Sequence, residues 1–284
     1  MVVIVGDTTS ALPEAFALEH GVPIIPQIIT FGAESYFEGV DITYSSFMDR
    51  LSVATELPKT AAPPPDLFAE VFKQHGSTGD TLICVLPSAI VSGTVRSATL
   101  GATMVRESCF PNLDVRIIDT NLIASPVSTL LRLAVQWAEE GMDADTIESQ
   151  VREMCSRCRI YFVVDTLKYL AMGGRIGGAA ALLGSVLQVK PVLTMRKGQV
   201  DTLEKVRTHK RAVERLKRLV TEQIARGEAG YPTIMHAAAD AQAAELRDYF
   251  KQELGLADIP VQRVPPAVVT HGGPGVLGVG FFVE

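Results

Sequence analysis

Short continuous apolar runs alternate along the first half of the chain with longer stretches whose apolar residues recur at three- and four-residue spacing. The runs at 2–5, 81–86 and 115–118 give way to glycine, proline and aspartate respectively, and they predict buried strands. Between them, Leu67, Phe68, Val71 and Phe72, the stretch reaching Val105, residues 125–140 closed by Gly141, and residues 143–155 carry the helical period. Residues 12–20, with Pro13 in the first turn, and the set Tyr44, Phe47, Met48 and Leu51 predict two more helices. Residues 22–30, punctuated by Pro23 and Pro26, predict another strand, and the proline-rich residues 58–65 a rigid loop. Repetition of strand then helix predicts a mostly parallel sheet with flanking helices.

The pattern changes after Ile160. An apolar strand at 160–164 leads into shorter helices, then two strands, 191–195 and 200–206, on either side of Lys197-Gly198, a pair suited to a hairpin turn. A helix running to Arg226, strands at 233–237 and 261–264 with a helix at 242–254 between them, and a last strand at 276–283 predict a mixed α/β sheet domain. The expected domains are therefore 1–156 and 157–284, and a length of 284 residues suits two. No internal repeat and no low-complexity tract breaks this plan.

Composition narrows the function. Hydrophobic residues make up 47% and charged residues 20% of the chain, which reads as globular. A net charge of −6 with dispersed Lys and Arg gives no footprint for nucleic acid. No apolar run is long enough to span a bilayer, and the opening Met1-Val2-Val3-Ile4-Val5 lacks the basic region and cleavage site of a signal peptide. Four cysteines in this length are no disulfide scaffold. Cys155-Ser156-Arg157-Cys158 has C-x-x-C spacing, and its arginines could lower a thiol pKa. It sits at the end of a predicted helix, however, and two reduced thiols is the plainer reading. The cytoplasm is the expected compartment.

Nucleotide-binding glycine loops, a G-x-S-x-G elbow and H-E-x-x-H are missing, and the five histidines lack metal-ligand spacing. What the chain does carry is a set of polar residues at fixed turns. The first strand ends in Gly6-Asp7-Thr8-Thr9-Ser10 and a later one in Asp119-Thr120, the way open α/β sheets present binding groups. Prolines on both sides fix Thr60 in space. Ser88 and Ser92-Gly93-Thr94 form a strand-to-helix turn whose amides and hydroxyls suit an anion, and Ser92 equally suits a helix cap. Gly173-Gly174-Arg175 frames an arginine that either grips an oxyanion or marks a plain turn. Arg207 follows a strand, and His271 is expected in a glycine- and proline-fixed turn where it could donate to an oxyanion or pass a proton near neutral pH. Such a set suits holding a carboxylate or phosphate, because no pair of mutually tuned acid–base groups is evident.

Taken in order, Gly6-Asp7-Thr8-Thr9-Ser10, Lys59-Thr60, Ser92-Gly93-Thr94, the stretch from Phe162 to Leu170 with Gly173-Gly174-Arg175-Ile176, Val206-Arg207-Thr208 and Thr270-His271-Gly272-Gly273-Pro274-Gly275 resemble the DegV family of bacterial fatty-acid-binding proteins, which includes the FakB component of fatty acid kinase. The resemblance covers nearly the whole chain. It implies two α/β domains burying one long acyl chain between them, with the carboxylate held near Thr60, Ser92, Gly93 and Thr94. It further implies presentation of that carboxylate to a separate ATP-dependent kinase, which makes an acyl phosphate for phospholipid synthesis. Arg175, Arg207 and His271 correspond to the pocket rim used for kinase docking or phosphoryl transfer. The implied protein is a carrier with no catalysis of its own, no cofactor, and transient membrane contact for lipid exchange. Candidate walls for the acyl chain come from residues 179–187. Three departures stand out: Ala61 and Ala62 replace a usual serine and glutamine, Ser125-Pro126-Val127-Ser128 replaces usual glycines, and Ala11 replaces a usual acid. Two other readings are a phosphotransferase of related fold acting on a small hydroxy compound, and a regulatory lipid sensor.

Overall fold

In a computed structural model describing residues 1–183 and 189–284, the chain divides into one unit of Met1–Ile123 with Val127–Ser156 and another of Ala124–Pro126 with Arg157–Glu284. The first unit contains, in order, β1 (Val2–Asp7), α1 (Glu14–Glu19), β2 (Ile24–Ile25), β3 (Ile28–Phe31), β4 (Glu34–Phe37), α2 (Tyr44–Val53), β5 (Lys59–Ala61), α3 (Pro65–Gly76), β6 (Thr81–Leu86), α4 (Thr94–Ser108) and β7 (Val115–Asp119). Most of α5 (Ser125–Glu139) and α6 (Ala144–Arg157) also belong to it.

The continuous apolar runs form a four-stranded parallel sheet in the order β2-β1-β6-β7. Leu82, Ile83, Cys84, Val85 and Leu86 of β6 are all wholly buried, as expected of a central strand covered on both faces. Phe68 and Phe72 of α3 and Ala98, Ala102 and Val105 of α4 pack on it. The two helices meet at Gly101, where a Cβ would stand 2.8 Å from Phe68 Cβ and from the Pro65 carbonyl oxygen.

The single strand expected at 22–30 is two strands in different sheets. β2 pairs with β1, while β3 joins an antiparallel sheet in the order β4-β3-β5. Pro26 has no amide to give a ladder, so the chain leaves the parallel sheet at Pro26-Gln27. The loop expected at 58–65 is likewise partly a strand: β5 pairs Thr60 with Ile29, Pro58 precedes it, Ala62, Pro63 and Pro64 follow it, and Pro65 already begins α3.

The second unit is built on β8 (Cys158–Val163), α7 (Lys168–Met172), β9 (Lys190–Arg196), β10 (Gln199–Val206), α8 (His209–Gln223), β11 (Thr233–His236), α9 (Asp240–Leu254), β12 (Val261–Arg263), α10 (Pro266–Gly272) and β13 (Leu277–Phe282). Its sheet runs β10-β9-β8-β13-β11-β12, antiparallel except for the last pair. The β9–β10 hairpin turns on Lys197 at φ 49° and Gly198 at φ 77°, the left-handed pair that a tight hairpin demands. Tyr161, Val163, Leu277, Val279 and Phe281 project onto Leu216 and Val220 of α8 and Leu246 and Phe250 of α9. The Tyr161 and Phe281 rings meet edge-on with centroids 5.2 Å apart, a favourable geometry. Of the proposed wall run, Ala179 and Leu182 are buried in a 3₁₀ turn spanning Gly177–Leu182, while Gly184, Ser185, Val186 and Leu187 lie outside the described residues.

Candidate functional site

Parallel strands deliver their last residues to one edge of a sheet, and in the first unit that edge gathers the hydroxyls. β1 ends at Asp7, and β6 ends at Leu86 before the turn that starts α4. The turn closes on itself through the Val91 and Ser92 amides, both donating to the Ser88 carbonyl oxygen at 3.2 and 3.0 Å. Gly93 occupies the cap position of α4, and Ser92 Oγ accepts the Thr94 amide at 3.3 Å. The cap expected at Ser92 is therefore one residue on, at Gly93, and Ser92 takes the first helical amide from outside the helix.

Asp7 is fully buried and receives four donors. The Thr9 amide and hydroxyl reach Oδ1 at 3.1 and 2.6 Å. Gln27 Nε2 and the Thr94 hydroxyl reach Oδ2 at 2.7 and 3.1 Å. Gln27 Nε2 also donates to Thr94 Oγ1 at 2.8 Å, and Thr94 Oγ1 lies 2.8 Å from Ser92 Oγ. An unbroken chain thus runs from the Asp7 carboxylate through the Thr94 hydroxyl to the half-buried Ser92 hydroxyl. Burial lifts the Asp7 carboxyl to about 6, against the opposing pull of the bonds from Thr9, Gln27 and Thr94. Beside it, the Thr8 hydroxyl donates to the buried carboxylate of Glu38 and accepts the Gln27 amide at 3.0 Å.

Thr60 lies on β5, paired with Ile29 of β3. Two residues on, the Ala62 Cβ lies 3.2 Å from where a Cβ on Gly93 would stand. The alanine found in place of a polar residue thus makes an apolar contact with the turn. Thr60, Ser92, Gly93 and Thr94 all belong to the first unit, where Ala62 brings the end of β5 against the turn. Sequence reasoning singled out Asp7 without its partners and missed Gln27 and Glu38. The available signal for Gln27 was an amide side chain directly after Pro26 inside an apolar stretch.

In the second unit, Arg175 and His271 converge on Gly173. Arg175 Nη1 donates to the Gly173 carbonyl oxygen at 2.8 Å, and a Cβ on Gly173 would stand 2.2 Å from His271 Nδ1. Only glycine admits the imidazole there. His271 lies in the last turn of α10, not in the irregular turn expected from its glycines. Pro266 supplies a ready first helical position, and Gly273 at φ 79° ends the helix after His271. Burial, with a smaller contribution from the Arg175 charge, pushes the imidazole down to about 4. His271 is accordingly neutral near pH 7, with one ring nitrogen a donor and the other an acceptor. Arg207 is exposed just after β10, and its guanidinium makes no hydrogen bond or ion pair among the described residues.

The C-x-x-C pair straddles the junction of α6 and β8. Cys158 is buried, both thiols are free, and burial pushes Cys155 up to about 12, outweighing the nearby Arg152. Proximity to arginine was therefore a misleading sign of reactivity. Among the described residues no cluster of His, Cys, Asp or Glu could hold a metal ion, and no helix is long and apolar enough to cross a membrane.

Comparison with known proteins covers the full length. The family model described as an uncharacterised protein of the DegV family matches residues 1–284. A DegV domain-containing protein of Streptomyces coelicolor is 36% identical over 280 residues, 98% of this chain and 97% of its own. The crystal structure of a fatty acid binding DegV family protein from Streptococcus agalactiae is 29% identical, covering 100% of this chain and 99% of its own, with a TM-score of 0.90. A Bacillus subtilis structure, described as DegV, a fatty acid binding protein, is 27% identical with a TM-score of 0.88, covering 100% and 99%.

Proposed function

The chain belongs to the DegV family, and from that premise we propose that it binds a long-chain fatty acid, with Thr60, Ser92, Gly93 and Thr94 holding the carboxylate. The observation that carries this reading is the turn at the sheet edge, where hydroxyls and the first amides of α4 are concentrated and no acid–base pair is poised for bond breaking. Its support from outside is the full-length likeness to the fatty acid binding proteins of Streptococcus agalactiae and Bacillus subtilis. An acyl tail gains ~0.8 kcal/mol per buried CH₂, so about sixteen carbons gain roughly 10 kcal/mol before ordering costs. The hydroxyl site then serves to orient the head group and to compensate its desolvation.

The finer reading is that this protein presents the carboxylate to a separate ATP-dependent kinase in the cytoplasm and catalyses nothing alone. Arg175 and His271, paired at Gly173, suit the approach of a phosphoryl group, since a fixed guanidinium favours the charge that develops in its transfer. Arg207, exposed on the same unit, is assigned to partner contact.

The test is extraction and mass-spectrometric identification of lipid from protein purified out of a bacterial host. A stoichiometric fatty acid is expected. Lipid-free protein that hydrolyses ATP unaided points instead to a phosphotransferase. Arg175→Ala and His271→Ala are expected to keep the fatty acid and to lose phosphorylation by the kinase; undiminished phosphorylation removes them from the rim.

A further inference from the structure

Proton counting along the chain from Asp7 to Ser92 adds a condition to the proposed carboxylate site, on whose fatty-acid reading it rests. An ionised carboxylate accepts about four hydrogen bonds and donates none, and a hydroxyl has one proton to give. Ionised Asp7 is saturated by the two Thr9 donors, Gln27 Nε2 and the Thr94 hydroxyl. The only Thr94 hydroxyl proton then points at Asp7. Its oxygen already accepts from Gln27, so the 2.8 Å contact with Ser92 is made by the Ser92 proton. With that proton turned inward and the Thr94 amide donating to the same oxygen, Ser92 offers a ligand only a lone pair. A carboxylate anion placed there meets repulsion.

One added proton removes the conflict in either of two ways. Protonated Asp7 donates to Thr94, Thr94 donates to Ser92, and Ser92 turns its own proton outward to a carboxylate. Alternatively Asp7 stays ionised and the ligand enters as a neutral carboxylic acid that donates to Ser92. The two forms contain the same atoms and the same single proton, exchanged along three hydrogen bonds. We propose that the fatty acid binds together with one proton, held between Asp7 and the ligand head group through Thr94 and Ser92, so that Asp7 is a positioning residue setting the direction of the Ser92 hydroxyl.

Among the described residues, the side chains bonded to Asp7 are the uncharged Thr9, Gln27 and Thr94. Asp7 is enclosed by Thr9 in the turn after β1, Gln27 between β2 and β3, and Thr94 at the start of α4. Of the titratable groups on the surrounding elements, Glu38 takes the Thr8 hydroxyl. Asp119, at the end of β7, takes the Asn121 amide at 2.9 Å and the Ala89 amide at 3.3 Å. Lys59 on β5 is exposed. None of the three bonds Asp7. Burial already makes Asp7 easier to protonate than an ordinary aspartate, which favours uptake.

The test is calorimetric titration of the whole protein, stripped of lipid, with myristate at about pH 7.5 in two buffers of different ionisation enthalpy, which counts protons taken up per ligand bound. The expected result is about one proton for the wild type, with affinity falling roughly tenfold per pH unit above neutrality. Asp7→Asn cannot ionise and is expected to bind with an uptake near zero. Thr94→Val interrupts the chain while keeping its shape; whatever its effect on affinity, the protons taken up per ligand bound are expected to fall to near zero, which covers the case in which Asp7→Asn does not fold. Myristate binding by the wild type with no proton uptake overturns the proposal and leaves the fatty-acid reading standing. Uptake undiminished in both variants places the proton elsewhere and also overturns it. Absence of any myristate binding overturns both readings.

Discussion

Burial of Asp7 in the ligand-free protein has a cost that depends on pH, and replacing it with asparagine isolates that cost. Its folded pKa of about 6 stands above the usual value of 3.8. The folded state therefore binds more protons than the unfolded chain between these values, and stability falls as pH rises through that window. Asparagine at the same position keeps the shape and does not titrate. Its loss of an acceptor adds a constant that cancels when two pH values are compared. Linkage with these two pKa values gives a fall in wild-type stability relative to Asp7→Asn of roughly 2 kcal/mol between about pH 4.5 and pH 7.5. Paired urea titrations of both proteins at the two pH values measure it. A stability difference that does not change with pH refutes the raised pKa. A change of the opposite sign means that the hydrogen bonds from Thr9, Gln27 and Thr94 outweigh desolvation.

Three further expectations concern Ser92, His271 and Gly275. Ser92→Ala removes one donor to a charged head group, a loss of about 1.5–3 kcal/mol that displacement titration with a fluorescent fatty acid reads as roughly 10- to 100-fold weaker binding; unchanged affinity removes Ser92 from the site. His271 stays neutral across pH 6–8 in an NMR titration of the imidazole, and Arg175→Met raises its pKa only part of the way to 6.5, because burial is the larger cause; full recovery in the variant makes charge, not burial, the controlling effect. Gly275→Ala forces a side chain into φ 83° with its Cβ 2.1 Å from Asp165 Oδ2, and thermal unfolding is expected to show a loss of about 2 kcal/mol or more; an unshifted transition contradicts that close approach.

Regular elements were the legible part of this chain because their signals are local. The β6 run of five wholly buried residues, the α3 and α4 faces and the Lys197-Gly198 hairpin each announce themselves within a dozen residues. The misread segments are those where long-range pairing decides. Residues 22–30 look like one strand until β1 and β5 compete for them on either side of Pro26, and Lys59-Thr60-Ala61 becomes a strand only because β3 offers it a ladder. The hydroxyls at Thr60, Ser92 and Thr94 could be picked out from their proline and glycine surroundings. Nothing local in the sequence could reveal that Gln27 and Thr94, 67 positions apart, meet on Asp7. His271 illustrates the opposite error: its glycines suggested an irregular turn, whereas Pro266 starts a helix that carries the half-buried imidazole in its last turn.

The central claim, a fatty-acid carrier whose hydroxyl turn holds the head group, is tested most directly by native mass spectrometry of the delipidated chain mixed with palmitate. The account predicts one palmitate per chain for the wild type and a marked loss of that species in the double variant Thr60→Val, Ser92→Ala with its fold intact. Protein that takes up no palmitate, or a double variant that retains it as well as the wild type, contradicts the account.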